Sequence, residues 1–157
     1  MDIDLQFALA VIGGALALAG GLAGSAIGIG RAASAGVATL SEDAGQLRNV
    51  LILASLPMTQ SFYGLIMLIF TLSVVKLPEV DGTAAGLAVL GLGSFVGIGQ
   101  IFSAAFQGSI CASGISMLPK TKGQILTNSM MLAVFAELVG LLALVFAIMG
   151  LALLEVM

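Results

Sequence analysis

Hydrophobic residues run through this chain in long blocks, and the polar positions gather in three short breaks. These are "SEDAGQLR" at 41–48, "KLPEVDGT" at 76–83 and "LPKTKGQ" at 118–124. Between them lie four apolar stretches, about 6–40, 49–75, 84–117 and 125–154. A membrane span needs about 20 apolar residues, so each stretch is long enough to cross. In lipid, helix is the only open-chain structure that satisfies its own backbone. At about 1.5 Å per residue such helices overshoot the bilayer and project beyond it. The pattern predicts an all-α membrane protein with four transmembrane helices arranged as two helical hairpins.

The hairpins are repeats of each other. At an offset of 78, "AVIG" (10–13) meets "AVLG" (88–91), Gly30 meets Gly108, Gly36 meets Gly114, and "GQL" (45–47) meets "GQI" (123–125). Each copy holds two spans, so both enter the membrane from the same side, and the duplication is parallel rather than inverted. The chain divides into a first hairpin at 1–80 and a second at 81–157. Under this alignment Thr59 falls opposite Glu137, so only the second copy carries a mid-span carboxylate.

Composition agrees with a membrane protein: 60% of residues are hydrophobic and 8% charged, against about a quarter charged in soluble domains. Five basic residues and a net charge of −3 leave no patch for nucleic acid. The chain has no histidine and one cysteine, Cys111, inside an apolar stretch. That removes His/Cys metal sites, Cys–His and Ser–His catalysis and any intrachain disulfide; Cys111 reads as a small packing residue. "MDIDLQ" lacks the basic region of a cleavable signal, so the first span is expected to be retained. Arg31, Arg48, Lys120 and Lys122 lie toward one membrane side. Asp2, Asp4, Glu79, Asp81 and Glu155 lie toward the other, with Lys76 alone among them. The basic bias places the first and third loops in the cytoplasm and both termini outside.

Gly20, Gly24, Gly28, Ala32 and Gly36 recur every four residues in the first span, and Ala104, Gly108 and Ala112 do so in the third. Small residues at this spacing let membrane helices approach closely. The second and fourth spans are bulky, with Leu65, Ile66, Met67 and Phe70 in one and Leu141, Leu142, Leu144 and Phe146 in the other. Two slim and two bulky helices make a wedge, and wedges repeated head-to-tail close into a ring. "GIGRAA" (28–33) also matches a dinucleotide-binding pattern, but that pattern needs a preceding strand. The packing stripe is the better account.

Glu137 is the only charged residue between Gln124 and Leu154. A charge at mid-bilayer costs about 2.5–3.5 kcal/mol on insertion scales, and an ionisable residue there reads first as an ion or proton site. The bland alternative is a permanently protonated acid bonded to a neighbouring helix. The second span offers partners: Leu56, Thr59, Gln60 and Tyr63 in "LPMTQSFYG" are spaced to share one helix face. The third span adds Gln107 amid apolar and small residues. Carboxylate, hydroxyl and amide oxygens suit a hard cation. Each polar residue alone could serve only interhelical hydrogen bonding; the set together favours an ion site. Pro57, lacking an N–H, should free the carbonyl of Leu53 and can kink the span.

Four spans, the parallel duplication, the glycine-laden first and third spans, "LPMTQSFYG", "FQG" and "AEL" together resemble the rotor proteolipids, known as the K or c type, of V-type and V/A-type rotary ATPases. The resemblance covers essentially the whole chain. In sodium-pumping members it implies a Na⁺ site made by the backbone carbonyl of Leu56 and the side chains of Thr59, Gln60, Gln107 and Glu137, with Tyr63 bonded to the Glu. The fullness of this polar set favours Na⁺ over H⁺, which is the alternative cargo. The resemblance further implies a ring of identical protomers in a prokaryotic cell membrane. Its partners would be a stator protein bearing an Arg, central-stalk subunits at the cytoplasmic loops, and lipid. The chain itself would not be an enzyme, since nucleotide chemistry lies on other subunits. A small secondary transporter and a structural protein with an inert Glu137 are the alternatives from other classes.

Overall fold

The computed structural model describes residues 5–73 and 83–156. Asp2 and Asp4, the break residues Lys76, Glu79 and Asp81, and the 80/81 boundary between the repeats lie outside the described residues. The elements are α1 (Leu5–Glu42), α2 (Leu47–Ser55), α3 (Thr59–Ser73), α4 (Ala84–Thr121) and α5 (Leu126–Leu153). Short 3-10 turns at Ala44–Gln46 and Leu56–Met58 lead into α2 and α3. Among the described residues, four helical spans are long and apolar enough to cross a membrane: Leu5–Glu42, Ala44–Ser73, Ala84–Thr121 and Leu126–Leu153.

The slim helices α1 and α4 pack together along their length. A methyl group on Gly28 would strike the backbone of Ala104 and the ring of Pro57, and one on Gly108 would strike the backbone of Gly28. Glycine therefore sets the interaxial distance here, since any side chain would hold the helices apart. The partners keep a nearly fixed sequence separation: Gly13 meets Gly93, Gly20 meets Gly97, and Arg31 and Thr39 bond to residues 78 and 76 positions later. A fixed separation means the two helices run in the same direction; antiparallel helices would show one that changes steadily. The two hairpins are thus parallel copies.

The small-residue row on α1 is buried at Gly20, Gly24, Gly28, Ala32 and Gly36. On α4 it continues from Ala104 and Gly108 to Cys111 and Ile115, with Ala112 only half-buried. A row stepped by four drifts off a helix face of 3.6 residues per turn. Gly86, Gly93 and Gly97 extend the contact toward the start of α4.

Each bulky helix rests on a slim one. Gly64 of α3 abuts Ala17 and Leu18 of α1, and Gly114 of α4 abuts Ser129 of α5. Met67 and Leu144 point inward, whereas Leu65, Ile66, Leu141, Leu142 and Phe146 are exposed. Two apolar clusters form the core. One holds Ala17, Met67, Val96, Leu144 and Leu151; the other holds Leu53, Cys111, Ile115, Leu118 and Ala133. The buried polar residues Gln60, Ser103 and Gln107 lie between them.

Two prolines shape the helices differently. At Pro57 the second span changes from α to 3-10 hydrogen bonding and then resumes as α3. At Pro119 the third span continues to Thr121, past the polar break expected from residue 118. Pro119 leaves the Ile115 carbonyl without its helical donor, and the buried hydroxyl of Thr39 donates to that carbonyl at 3.0 Å. The helix ends at Lys122 and Gly123, both left-handed at φ 51° and 83°, with Gly123 N donating to Leu118 O at 3.0 Å. A methyl on Gly123 would meet Asn49 Nδ2 of α2 at 2.8 Å and Gln46 Oε1 of the first loop at 3.3 Å, so the first and third loops touch at one end of the bundle. Asn49 donates to Gln46 Oε1 (2.8 Å) and Gln46 donates to Asp43 Oδ2 (2.9 Å), which ties the first loop internally. Arg31 turns onto α4, where Nη1 donates to Ala105 O (2.8 Å) and Ser109 Oγ (2.9 Å).

Candidate ion site

Glu137 sits inside α5, half-buried, between the two apolar clusters. Its carboxylate accepts two hydrogen bonds from different helices. Tyr63 Oη of α3 donates to Oε1 at 3.0 Å, and Gln107 Nε2 of α4 donates to Oε2 at 3.2 Å. The structure therefore brings the sole acid of the fourth span against the polar residues of the second and third. These bonds leave the carboxylate neither free nor facing bare hydrocarbon.

The 3-10 turn at Leu56–Met58 places the next residues. Thr59 caps that turn, its N–H bonded to Leu56 O, and its hydroxyl lies 3.2 Å from both Leu56 O and Gln60 Oε1, either of which can accept its one proton. The Leu56 carbonyl, the Thr59 hydroxyl and the Gln60 amide oxygen thus lie side by side. The Leu53 side chain is wholly buried in the loop-side apolar cluster. Of the two carbonyls considered from the sequence, that of Leu56 is the one in contact with the Thr59 hydroxyl.

Gln60 and Gln107 are fully buried. Gln60 Nε2 donates to Gln107 Oε1 (2.9 Å) and to Ser103 Oγ (3.0 Å), and Ser103 Oγ donates to Ala136 O (2.8 Å). All six residues expected from the sequence (Leu56, Thr59, Gln60, Tyr63, Gln107 and Glu137) belong to one connected network. Ser103 belongs to it too, and sequence reasoning missed it. Gln100 was missed as well: fully buried one turn from Ser103, it donates Nε2 to Gly140 O at 2.8 Å. A methyl on Gly140 would lie 2.7 Å from both Gln100 Oε1 and Ser103 Oγ, so a glycine there lets α5 seat against this row. Spacing could have found Gln100, because 100, 103 and 107 fall on one helix face.

Chemically, the site offers one carboxylate and several neutral oxygens. Among the described residues no group of three or more His, Cys, Asp or Glu could hold a metal ion. A single carboxylate is neutralised by one monovalent cation or one proton, whereas a divalent ion would leave a net positive charge in the membrane interior. Beside the site, Phe102 and Phe106 stack at 6.4 Å on the exposed face of α4. With Ser103, Ala136 and Val139 they line a shallow apolar groove of about 310 Å³.

Comparison with known proteins gives consistent matches. The family model for the C subunit of ATP synthase matches residues 12–71 and again 90–150, one match in each hairpin. The A-type ATP synthase subunit K of Methanocaldococcus jannaschii is 36% identical over 136 residues, covering 86% of this chain and 60% of that protein. The chain therefore spans less than two thirds of that relative's length. The V-type sodium ATPase subunit K of Enterococcus hirae is 31% identical over 122 residues, covering 78% of this chain and 76% of that protein.

Proposed function

Since this chain belongs to the family of ATP synthase C subunits, we propose that it is the ion-carrying rotor protein of a V/A-type rotary ATPase and that its cargo is Na⁺. One observation carries the reading. In an apolar span, the carboxylate of Glu137 is joined through Tyr63 and Gln107 to a group of oxygen-bearing residues on two other helices. In the proposed bound state, Na⁺ lies against Glu137, the Thr59 hydroxyl, the amide oxygens of Gln60 and Gln107, and the Leu56 carbonyl, with Tyr63 holding the carboxylate in place. The relative named as part of a sodium ATPase supports this cargo.

The physics of transport follows from charge. With Na⁺ or a proton bound, Glu137 is neutral and its face can turn toward lipid. Empty and ionised, it is stable only beside water or a fixed positive charge. An Arg on a stator protein, between two half-channels, supplies that charge, so loading and unloading bias the ring in one direction. The first and third loops, bearing Arg48, Lys120 and Lys122, face the cytoplasm and meet the central stalk. The protein would lie in a prokaryotic cell membrane with both termini outside. Nucleotide hydrolysis or synthesis happens on other subunits, and this chain is the non-catalytic ion carrier.

A proton cargo is the second reading, and one observation favours it. Gln107 turns an N–H rather than an oxygen toward Glu137. The test is transport by the reconstituted complex. Glu137→Gln is expected to abolish Na⁺-dependent transport while the ring still assembles. Normal transport in that variant removes Glu137 from the mechanism. Transport in the unaltered complex that follows pH and ignores Na⁺ assigns the proton.

A further inference from the structure

The network that ends on Glu137 has a direction, and Ser103 sets it. The carbonyl of Ala136 can only accept, so Ser103 gives its single proton there, at 2.8 Å. Ser103 Oγ then meets Gln60 with lone pairs alone. The Gln60 atom 3.0 Å away must therefore be Nε2, whose other N–H goes to Gln107 Oε1 at 2.9 Å. Gln60 Oε1 is left on the opposite side, 3.2 Å from the Thr59 hydroxyl. A flipped Gln60 amide would set its oxygen against two acceptors with no proton between them. Ser103 and Gln60 are both buried, so no solvent is at hand to rescue that arrangement.

We infer that Ser103 is a positioning residue for cation binding: it fixes the amide orientation of Gln60 and so presents Gln60 Oε1 to the ion. Ser103 itself does not touch the cation. Its hydroxyl departs from what other α4 serines do. Ser94, Ser109, Ser113 and Ser116 each return a proton to the carbonyl four residues earlier in their own helix. Ser103 instead reaches across to α5, one residue before Glu137. The same side chain thereby links the cation-binding amide to the helix that carries the acid. The inference rests on the sodium reading given above.

The test is the Na⁺ concentration that half-protects Glu137 from a carbodiimide in the purified ring, measured at fixed pH. Ser103→Ala keeps the β-carbon beside Gly140 and removes only the hydroxyl. One buried N–H of Gln60 loses its acceptor, and half-protection is expected to need about tenfold more Na⁺. In a Gln60→Ala background the same substitution should change it less than about twofold, because nothing remains to orient. A merely structural serine would raise the requirement by the same factor in both backgrounds, and that result overturns the inference. So does an unchanged requirement in Ser103→Ala. If the Ala ring fails to assemble, Ser103→Cys, with a weaker acceptor in similar volume, should give a smaller rise confined to the Gln60 background; equal effects in both again overturn it. An unaltered ring that Na⁺ does not protect at all sinks the sodium reading and this inference together.

Discussion

Replacing Tyr63 by Phe removes one oxygen and nothing else, which makes it the cleanest probe of the site. The hydroxyl donates to Glu137 Oε1 at 3.0 Å, and the ring packs against the apolar cluster that holds Met67 and Leu144. Phe keeps that packing, so no cavity forms. A hydrogen bond to a charged group contributes about 1.5–3 kcal/mol. Tyr63 is only half-buried, and partial access to surroundings puts the loss near the lower end, about 1.5 kcal/mol. At about 1.4 kcal/mol per tenfold this corresponds to about a tenfold weaker hold on the ion. The assay is Na⁺ protection of carbodiimide labelling in the purified ring, paired with the rate of radiolabelled Na⁺ exchange. Tyr63→Phe should raise the protecting concentration about tenfold and speed exchange, with the ring as stable as before. An unchanged protecting concentration would show that the hydroxyl does not hold the carboxylate in the loaded state.

Further expectations follow from other contacts. Thr59→Ala and Gln107→Ala should each weaken Na⁺ affinity more than proton affinity, measured by protection with Na⁺ and with acid; equal losses of both tell against an oxygen cage. Gly28→Ala should destabilise the ring by about 1–3 kcal/mol, because the new methyl strikes the Ala104 backbone and Pro57; detergent-melting of the oligomer reads this, and an unaltered melting point contradicts the close approach of α1 and α4. Thr39→Val should cost about 1–2 kcal/mol by leaving the buried Ile115 carbonyl, already without a donor because of Pro119, unsatisfied. The same melting assay checks it, and a fully stable variant would mean that another group takes over.

What could be read in the sequence was decided by contrast. Glu137, Gln60 and Gln107 stand out because large polar groups are rare in apolar spans, and the spacing of Thr59 and Tyr63 put them on the same face as Gln60; Gln100 met the same criterion and was passed over. The helix count and the parallel repeat were legible for a related reason, since lipid permits few alternatives to helix. Ser103 did not stand out. A serine in a helix usually bonds back to its own turn, and sequence cannot tell the one that crosses from the four on α4 that do not. Pro57 signalled a change in the second span but not that Leu56 O would be the carbonyl beside Thr59. The polar break from residue 118 suggested an end to the third span, yet the helix runs on through Pro119 to Thr121, and Thr39, 76 residues away from Ile115 in sequence, supplies the donor that Pro119 lacks. Such substitutions of a distant side chain for a backbone partner depend on packing, which no local pattern records.

In the proposed mechanism Glu137 binds and releases a sodium ion. Carbodiimide modification of the purified oligomer, located by mass spectrometry with and without Na⁺, tests it most directly. Modification is expected at Glu137 alone, suppressed by Na⁺ at constant pH. Modification that proceeds at the same rate whatever the Na⁺ concentration would contradict it.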